Sequence, residues 1–396
     1  MLAELLEGTS RRILVVRLDN IGDMVMMGPA LRSLKAAIPE SHVTLMASPA
    51  GSQVAPMLPW VDELMVHRAV WQELARGHGQ RQRDEFRPQR ELELVERIRS
   101  GGFDAALIFT SFRQSPHPPA YACYLAEVPV RAALSKEFGG LILSHWIESP
   151  PDEVHQVDRN LYLLQGLGLR SFGRHLELSI PKSAEEEAEE LLGRSGILPG
   201  DRFILLAPAA SCRARTYDPS RFAEVAEMLL SETGLPIVVC GRDRDLPVVD
   251  AISGGVRSKG LVSIAGNSSV EVLAAVTRKA EILVASHSGP MHIADAVGCP
   301  MVIMFSGTDL RSQWEPRSAP SILLGRPVPC SPCYLLDCPY QMECLDIPPS
   351  EVARAGMQLL SRAAPEPGDG IPSGQNVPDG RAVDLKEVNE CAPYAS

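Results

Sequence analysis

Nowhere in the 396 residues is there an apolar run of roughly 18 residues, the least that spans a bilayer as a helix. The opening "MLAELLEGTSRR" also lacks the basic-then-apolar order and small-residue cleavage site of a secretory leader. Both absences lead us to expect a cytoplasmic protein with no transmembrane segment, with peripheral membrane association left open. Basic charge is scarce as well: 38 Lys plus Arg against 49 Asp plus Glu give a formal net charge of -11. Nucleic acid, whose phosphates demand clustered Lys and Arg, is therefore an unsuitable partner. No repeat of solenoid period is present, and no G-x-G-x-x-G, which weighs against a NAD site. An odd count of nine cysteines without a leader is a poor disulfide framework.

What is there is enough apolar residue, 45%, to bury more than one core, in a length that suits two domains. Strand-like runs at residues 12–18, 42–48, 63–68 and 104–110 alternate with helical patterns, the first of them over about 23–37. The pattern restarts with runs at 202–208, 236–241, 261–266, 281–286 and 300–307. The charged stretch 75–100 reads as a solvated loop followed by a surface helix. We expect an α/β protein of two doubly wound, Rossmann-like domains facing a central cleft, at residues 1–181 and 201–362. The acidic, Gly- and Pro-terminated segment 182–200 would link them, and the Pro- and Gly-rich tail 363–396 would be disordered.

Three segments follow strands and could carry chemistry. In "LDNIGDMV" Gly22 permits a tight turn or a close approach, and Asp23 opens a helix. That carboxylate either favours the positive helix end or serves as a base at the sheet's mouth. In "APAASCRARTYDPSRF", Ser211 offers donors, and Arg213 and Arg215 could reach phosphate oxygens or simply be solvated. In "VASHSGPMHIADAVGCP", Ser288, Gly289 and Pro290 begin a helix whose free N–H groups suit a diphosphate. His292, one turn in, is either structural or a partner for a phosphate or sugar oxygen.

In this order, and with "CGRDRD" between the second and third, these segments resemble glycosyltransferase family 9, the heptosyltransferase family, over roughly residues 12–362. The resemblance implies a GT-B fold with an N-terminal acceptor domain, a C-terminal nucleotide-sugar domain and a final helical region packing back on the first. It implies an inverting transfer of a heptose or related sugar from an ADP-heptose-like donor to an acceptor hydroxyl, with no cofactor needed for catalysis. Asp23 matches the family's base; Ser211, Arg215, Asp243, Ser288, Gly289 and His292 match donor-binding positions. Two departures stand out. Arg215 replaces a usual Lys, and His287 occupies a position that is commonly Asp or Asn, where an acid contacts the donor sugar. Because the first 200 residues carry more acid than base, a neutral or cationic acceptor is open alongside an anionic glycan; a protein or small molecule would serve equally.

The cluster "CSPCYLLDCPYQMEC" sets Cys330, Cys333, Cys338 and Cys344 close enough for a structural zinc or iron site, for packing thiols or for redox chemistry. The long loop between two C-x-x-C pairs that marks many zinc sites is missing. Two other functions share these features: a nucleotide-sugar epimerase of the same architecture, which would need no acceptor, and a non-catalytic nucleotide-binding or assembly protein.

Overall fold

The computed structural model describes residues 11–72 and 87–363. Two parallel six-stranded sheets, each covered by helices, build it. The first half runs β1 (Arg12–Arg17), α1 (Ile21–Val25), α2 (Gly28–Ala37), β2 (His42–Ala47), β3 (Glu63–Val66), α3 (Pro88–Ser100), β4 (Ala105–Ile108), α4 (His117–Leu125), β5 (Val130–Ser135), β6 (His145–Glu148) and α5 (Gln156–Gly166). The second half runs α6 (Lys182–Arg194), β7 (Ile204–Ala207), α7 (Pro219–Thr233), β8 (Ile237–Val239), α8 (Leu246–Gly255), β9 (Leu261–Ser263), α9 (Val270–Lys279), β10 (Ile282–Ser286), α10 (Gly289–Val297), β11 (Met301–Met304), α11 (Arg311–Trp314), β12 (Ser321–Leu324) and α12 (Pro349–Ala363).

Strand order is β3-β2-β1-β4-β5-β6 in one sheet and β12-β11-β10-β7-β8-β9 in the other. The chain reverses direction across each sheet between β1 and β4 and again between β7 and β10, so each sheet has a crevice at the carboxyl ends of that pair. Central strands are apolar on both faces, as a helix-covered parallel strand must be: Ile13, Leu14, Val15 and Val16 in β1 and Ile282, Leu283, Val284 and Ala285 in β10 are all buried. The expected α/β architecture of two doubly wound units is the one observed.

Three local differences have physical causes. The helix expected over 23–37 is two, because Pro29 supplies no N–H and starts α2 afresh. The acidic helix expected at 182–200 as a linker is α6, but its Ala184, Ala188, Leu191 and Leu192 join the core of the second half beneath α9. The final helix α12 does not return to the first half. Val352, Ala355 and Leu359 pack with Leu229 of α7, and Gly356 lets the helix approach to where an added Cβ would lie 3.2 Å from Leu229 Cδ2. The tail beyond Ala363 and most of the charged loop before α3 lie outside the described residues. Among the described residues no helix is long and apolar enough to cross a membrane.

Candidate active site

The carboxyl ends of β1, β4, β7 and β10 converge on one cleft of about 330 Å³ between the halves. Its first wall is built around Arg17, the last residue of β1, whose side chain is fully buried. Arg17 Nη2 donates to Asp23 Oδ1 at 2.8 Å and to Ser111 Oγ at 2.7 Å, while Nε lies 2.8 Å from Asp19 Oδ2. Ser111 Oγ donates in turn to Asp23 Oδ1 at 2.7 Å, and Gln114 Nε2 donates to Asp19 Oδ1 at 2.5 Å. Asp23 Oδ2 accepts the Asn20 N–H at 3.3 Å, which closes the first turn of α1 as a capping box. One oxygen of Asp23 thus caps the helix while the carboxylate lines the cleft. Burial is the main force on Asp19, pushing its carboxyl up to about 6; Arg17 pulls it down, Asp23 pushes it up, and the Gln114 hydrogen bond pulls it down again.

The second wall belongs to the other sheet. Ser211 and Arg215 follow β7, and His287, Ser288, Gly289 and His292 follow β10; all six line the cleft. Arg215 is held in a fork, Nε donating to Thr308 Oγ1 at 3.1 Å and Nη2 to Asp309 Oδ2 at 2.6 Å. Ser288 caps α10 in extended conformation and lines the cleft with Gly289 and Pro290; in this first turn Pro290 has no N–H and the Met291 N–H donates to the Ser288 carbonyl at 3.1 Å. Burial holds His292 neutral, its imidazolium lowered to about 4, with Asp23 and Asp295 pulling the other way. His287 is held well below its ordinary value by burial, then by Arg215 and His292. Its ring stacks on Phe305 with centroids 3.9 Å apart, and its buried Nδ1 has no hydrogen-bond partner.

The walls meet through α1 and α10. A Cβ at Gly22 would lie 2.6 Å from His292 Cδ2, and one at Gly289 would lie 3.4 Å from Ile21 Cβ. Gly22 is therefore required by a close helix approach, and the same glycines set Asp23 near the start of α10. Phe112 packs edge-on against Trp314 at 5.7 Å, and the Arg113 guanidinium lies 4.9 Å from the Tyr334 ring centre, so side chains of both halves close the cleft's rim.

Two expected residues fall elsewhere. Asp243 is not among the residues lining the cleft; its Oδ1 lies against Gly266, and Asp245, two residues on, takes the place beside Arg242 and Arg244. Arg213 lies on the opposite side of its short turn, facing a separate outer concavity with Arg221 and Asp346. Arg17, Asp19, Ser111, Gln114 and Asp309 went unnamed from sequence. An arginine ending an otherwise apolar strand was the available signal for the first.

Among the described residues no three His, Cys, Asp or Glu, the four clustered cysteines included, are arranged to hold an ion. Backbone hydrogen bonds fix the cysteine-bearing loop, from Cys333 N to Gly307 O, Tyr334 N to Thr308 O and Ala214 N to Leu336 O. Burial raises the Cys344 thiol above its ordinary value, and the neighbouring thiols add to the rise, so the neutral form is favoured.

Known proteins resemble this chain along most of its length. It is 24% identical over 301 residues to lipopolysaccharide heptosyltransferase 3 of Escherichia coli K12, covering 74% of this chain and 82% of that one. A crystal structure of a family 9 glycosyl transferase from Veillonella parvula superposes with a TM-score of 0.71 at 21% identity, over 89% of this chain and 98% of that chain. E. coli ADP-heptose lps heptosyltransferase II gives 0.69 at 18% identity, over 89% and 99%. Both likenesses give the same GT-B architecture of paired sheets. A family model described as glycosyltransferase family 9 (heptosyltransferase) matches residues 92–342, well over half of the sequence, and the chain belongs to that family.

Proposed function

We propose that this enzyme transfers a heptose or related sugar, with inversion, from an ADP-heptose-like donor held by the second half to an acceptor hydroxyl held by the first. One observation carries the reading: the Asp23 carboxylate and an opposite wall of Arg215, Ser211 and the start of α10 line a single cleft. Asp23 accepts the acceptor's O–H proton as that oxygen attacks the anomeric carbon. The bond from that carbon to the diphosphate breaks, and its electron pair leaves with the β-phosphate oxygen. Arg215 and the start of α10 neutralise the charge that develops there. His287, neutral and with an unpartnered Nδ1, offers a hydrogen bond to the donor sugar. The family match begins after residue 23, so the role of Asp23 rests on geometry and on the Gly-Asp resemblance.

Asp23→Asn should leave ADP affinity within about twofold while lowering kcat by at least about a hundredfold, the usual worth of a general base. Product stereochemistry, read by NMR of the new glycosidic bond, checks the inversion. A variant that transfers at the wild-type rate removes Asp23 as base.

A further inference from the structure

Asp19 is a buried carboxylate that the reaction above does not use, and it lines the same cleft with only 8% exposure. It stands on the other side of the guanidinium that holds Asp23. Arg17 reaches Asp19 Oδ2 through Nε and Asp23 Oδ1 through Nη2, each at 2.8 Å, so one buried cation is divided between two carboxylates. Gln114 fixes the second oxygen of Asp19 and Ser111 fixes Asp23, so neither carboxylate turns away from Arg17 without losing a bond. We propose that Asp19 is a positioning residue for sugar transfer, taking up part of the charge of Arg17 so that Asp23 stays oriented to accept the acceptor's proton. This rests on Asp23 being the base.

A carboxylate paired alone with a buried guanidinium is a poor base, because the attraction favours its ionised form. A second carboxylate on the same guanidinium offsets part of that attraction. The other groups facing the pair do not supply this balance. His292 of α10 faces Asp23 from across the cleft but is held neutral by burial, and Arg159 of α5 acts on Arg17 from behind with the same sign. Ser48 Oγ donates to the Asp19 carbonyl, and Gln72 lies beside Gln114; neither carries charge. Asp19 is itself pushed up to about 6. Above that pH it is ionised and shares Arg17; below it Asp19 is neutral and Asp23 has the guanidinium to itself. The rate should therefore fall through an acid limb near pH 6.

The test is Asp19→Asn in the full chain, with ADP-heptose as donor and delipidated lipopolysaccharide core oligosaccharide as acceptor. We expect kcat at about pH 8 to fall about tenfold with ADP affinity within about twofold, and the acid limb near pH 6 to vanish. Gln114→Ala removes a bond that favours ionised Asp19 and should move the limb upward, which keeps the proposal testable if the first variant folds poorly. A limb that stays in place in both variants, or an Asp19→Asn enzyme with the wild-type rate, overturns it. Asp23→Ala separates the two ideas: full transfer by that variant sinks the base itself, whereas an inactive Asp23→Ala beside an unaffected Asp19→Asn sinks only the role of Asp19.

Discussion

A methyl group at position 22 would sit 2.6 Å from His292 Cδ2 and 3.5 Å from Gly289 Cα, so α1 and α10 are spaced by two glycines. Gly22→Ala should cost about 1–3 kcal/mol, the usual price of overpacking, seen as a lower urea midpoint at unchanged slope. Arg215 makes its two bonds through different nitrogens, to Thr308 and Asp309, which a lysine's single ammonium cannot reproduce in the same fork. Calorimetric titration with ADP should therefore show Arg215→Lys weakened by about tenfold and Arg215→Met by more. At this scale the sequence was informative where a residue's place in the cleft follows from its distance to a strand end, as for Asp23, Ser211, Arg215, Ser288, Gly289 and His292. It was uninformative for Asp243 and Arg213, because a short turn decides which side chain faces the cleft and which faces out.

Among the elements, the cysteine-bearing loop matters through its backbone. Its bonds to Gly307, Thr308 and Ala214 clamp the two segments that supply Arg215 and its partners Thr308 and Asp309. Gly307 makes this possible: a Cβ there would lie 3.2 Å from Ser331 Cβ and 3.3 Å from Cys344 Cβ. Gly307→Ala should push the loop outward and raise the Kd for ADP by about three- to tenfold, a loss of under about 1.4 kcal/mol, measured beside an unchanged far-UV spectrum. Helix α7 offers a simpler case. Asp218 Oδ1 accepts the N–H groups of Ser220 and Arg221, so Asp218→Ala should cost about 1 kcal/mol of stability on chemical denaturation, with activity retained.

For the whole molecule, three imidazoles, those of His287 and His292 buried and that of His155 half-buried, gather where the halves meet. His155 of the first half bonds the Glu315 carbonyl of the second at 3.0 Å, and His287 and His292 line the cleft. Burial lowers His155 and His292 to about 4 and His287 well below its ordinary value. Unfolded, each takes its proton near 6.5, so between that value and about 4 the unfolded chain binds more protons. Their stabilisation is complete above about 6.5 and is lost as pH falls through this window. Asp19 acts in the opposite direction, since its raised carboxyl favours the fold as pH falls from about 6. With three groups against one, the balance is a loss. Urea unfolding at about pH 7.5 and about pH 5 should differ by on the order of 2–4 kcal/mol; equal midpoints would show that these rings are hydrated in the fold.

The alternation of strands and helices and the carboxyl-end position of the cleft are legible in the sequence itself, whose apolar runs mark nine of the twelve described strands; the partly exposed β5, β6 and β12 are not among them. Each follows from short-range causes: continuous apolar runs make buried parallel strands, Gly and Pro end helices, and right-handed crossovers bring loops to one edge. The tertiary structure alone decided that Arg17 is shared by Asp19 and Asp23, that α6 and α12 complete the second core, and that Gly22 rests against His292. These contacts join residues from as few as two to more than two hundred positions apart, and they depend on side-chain direction and on packing between layers. No local periodicity encodes either.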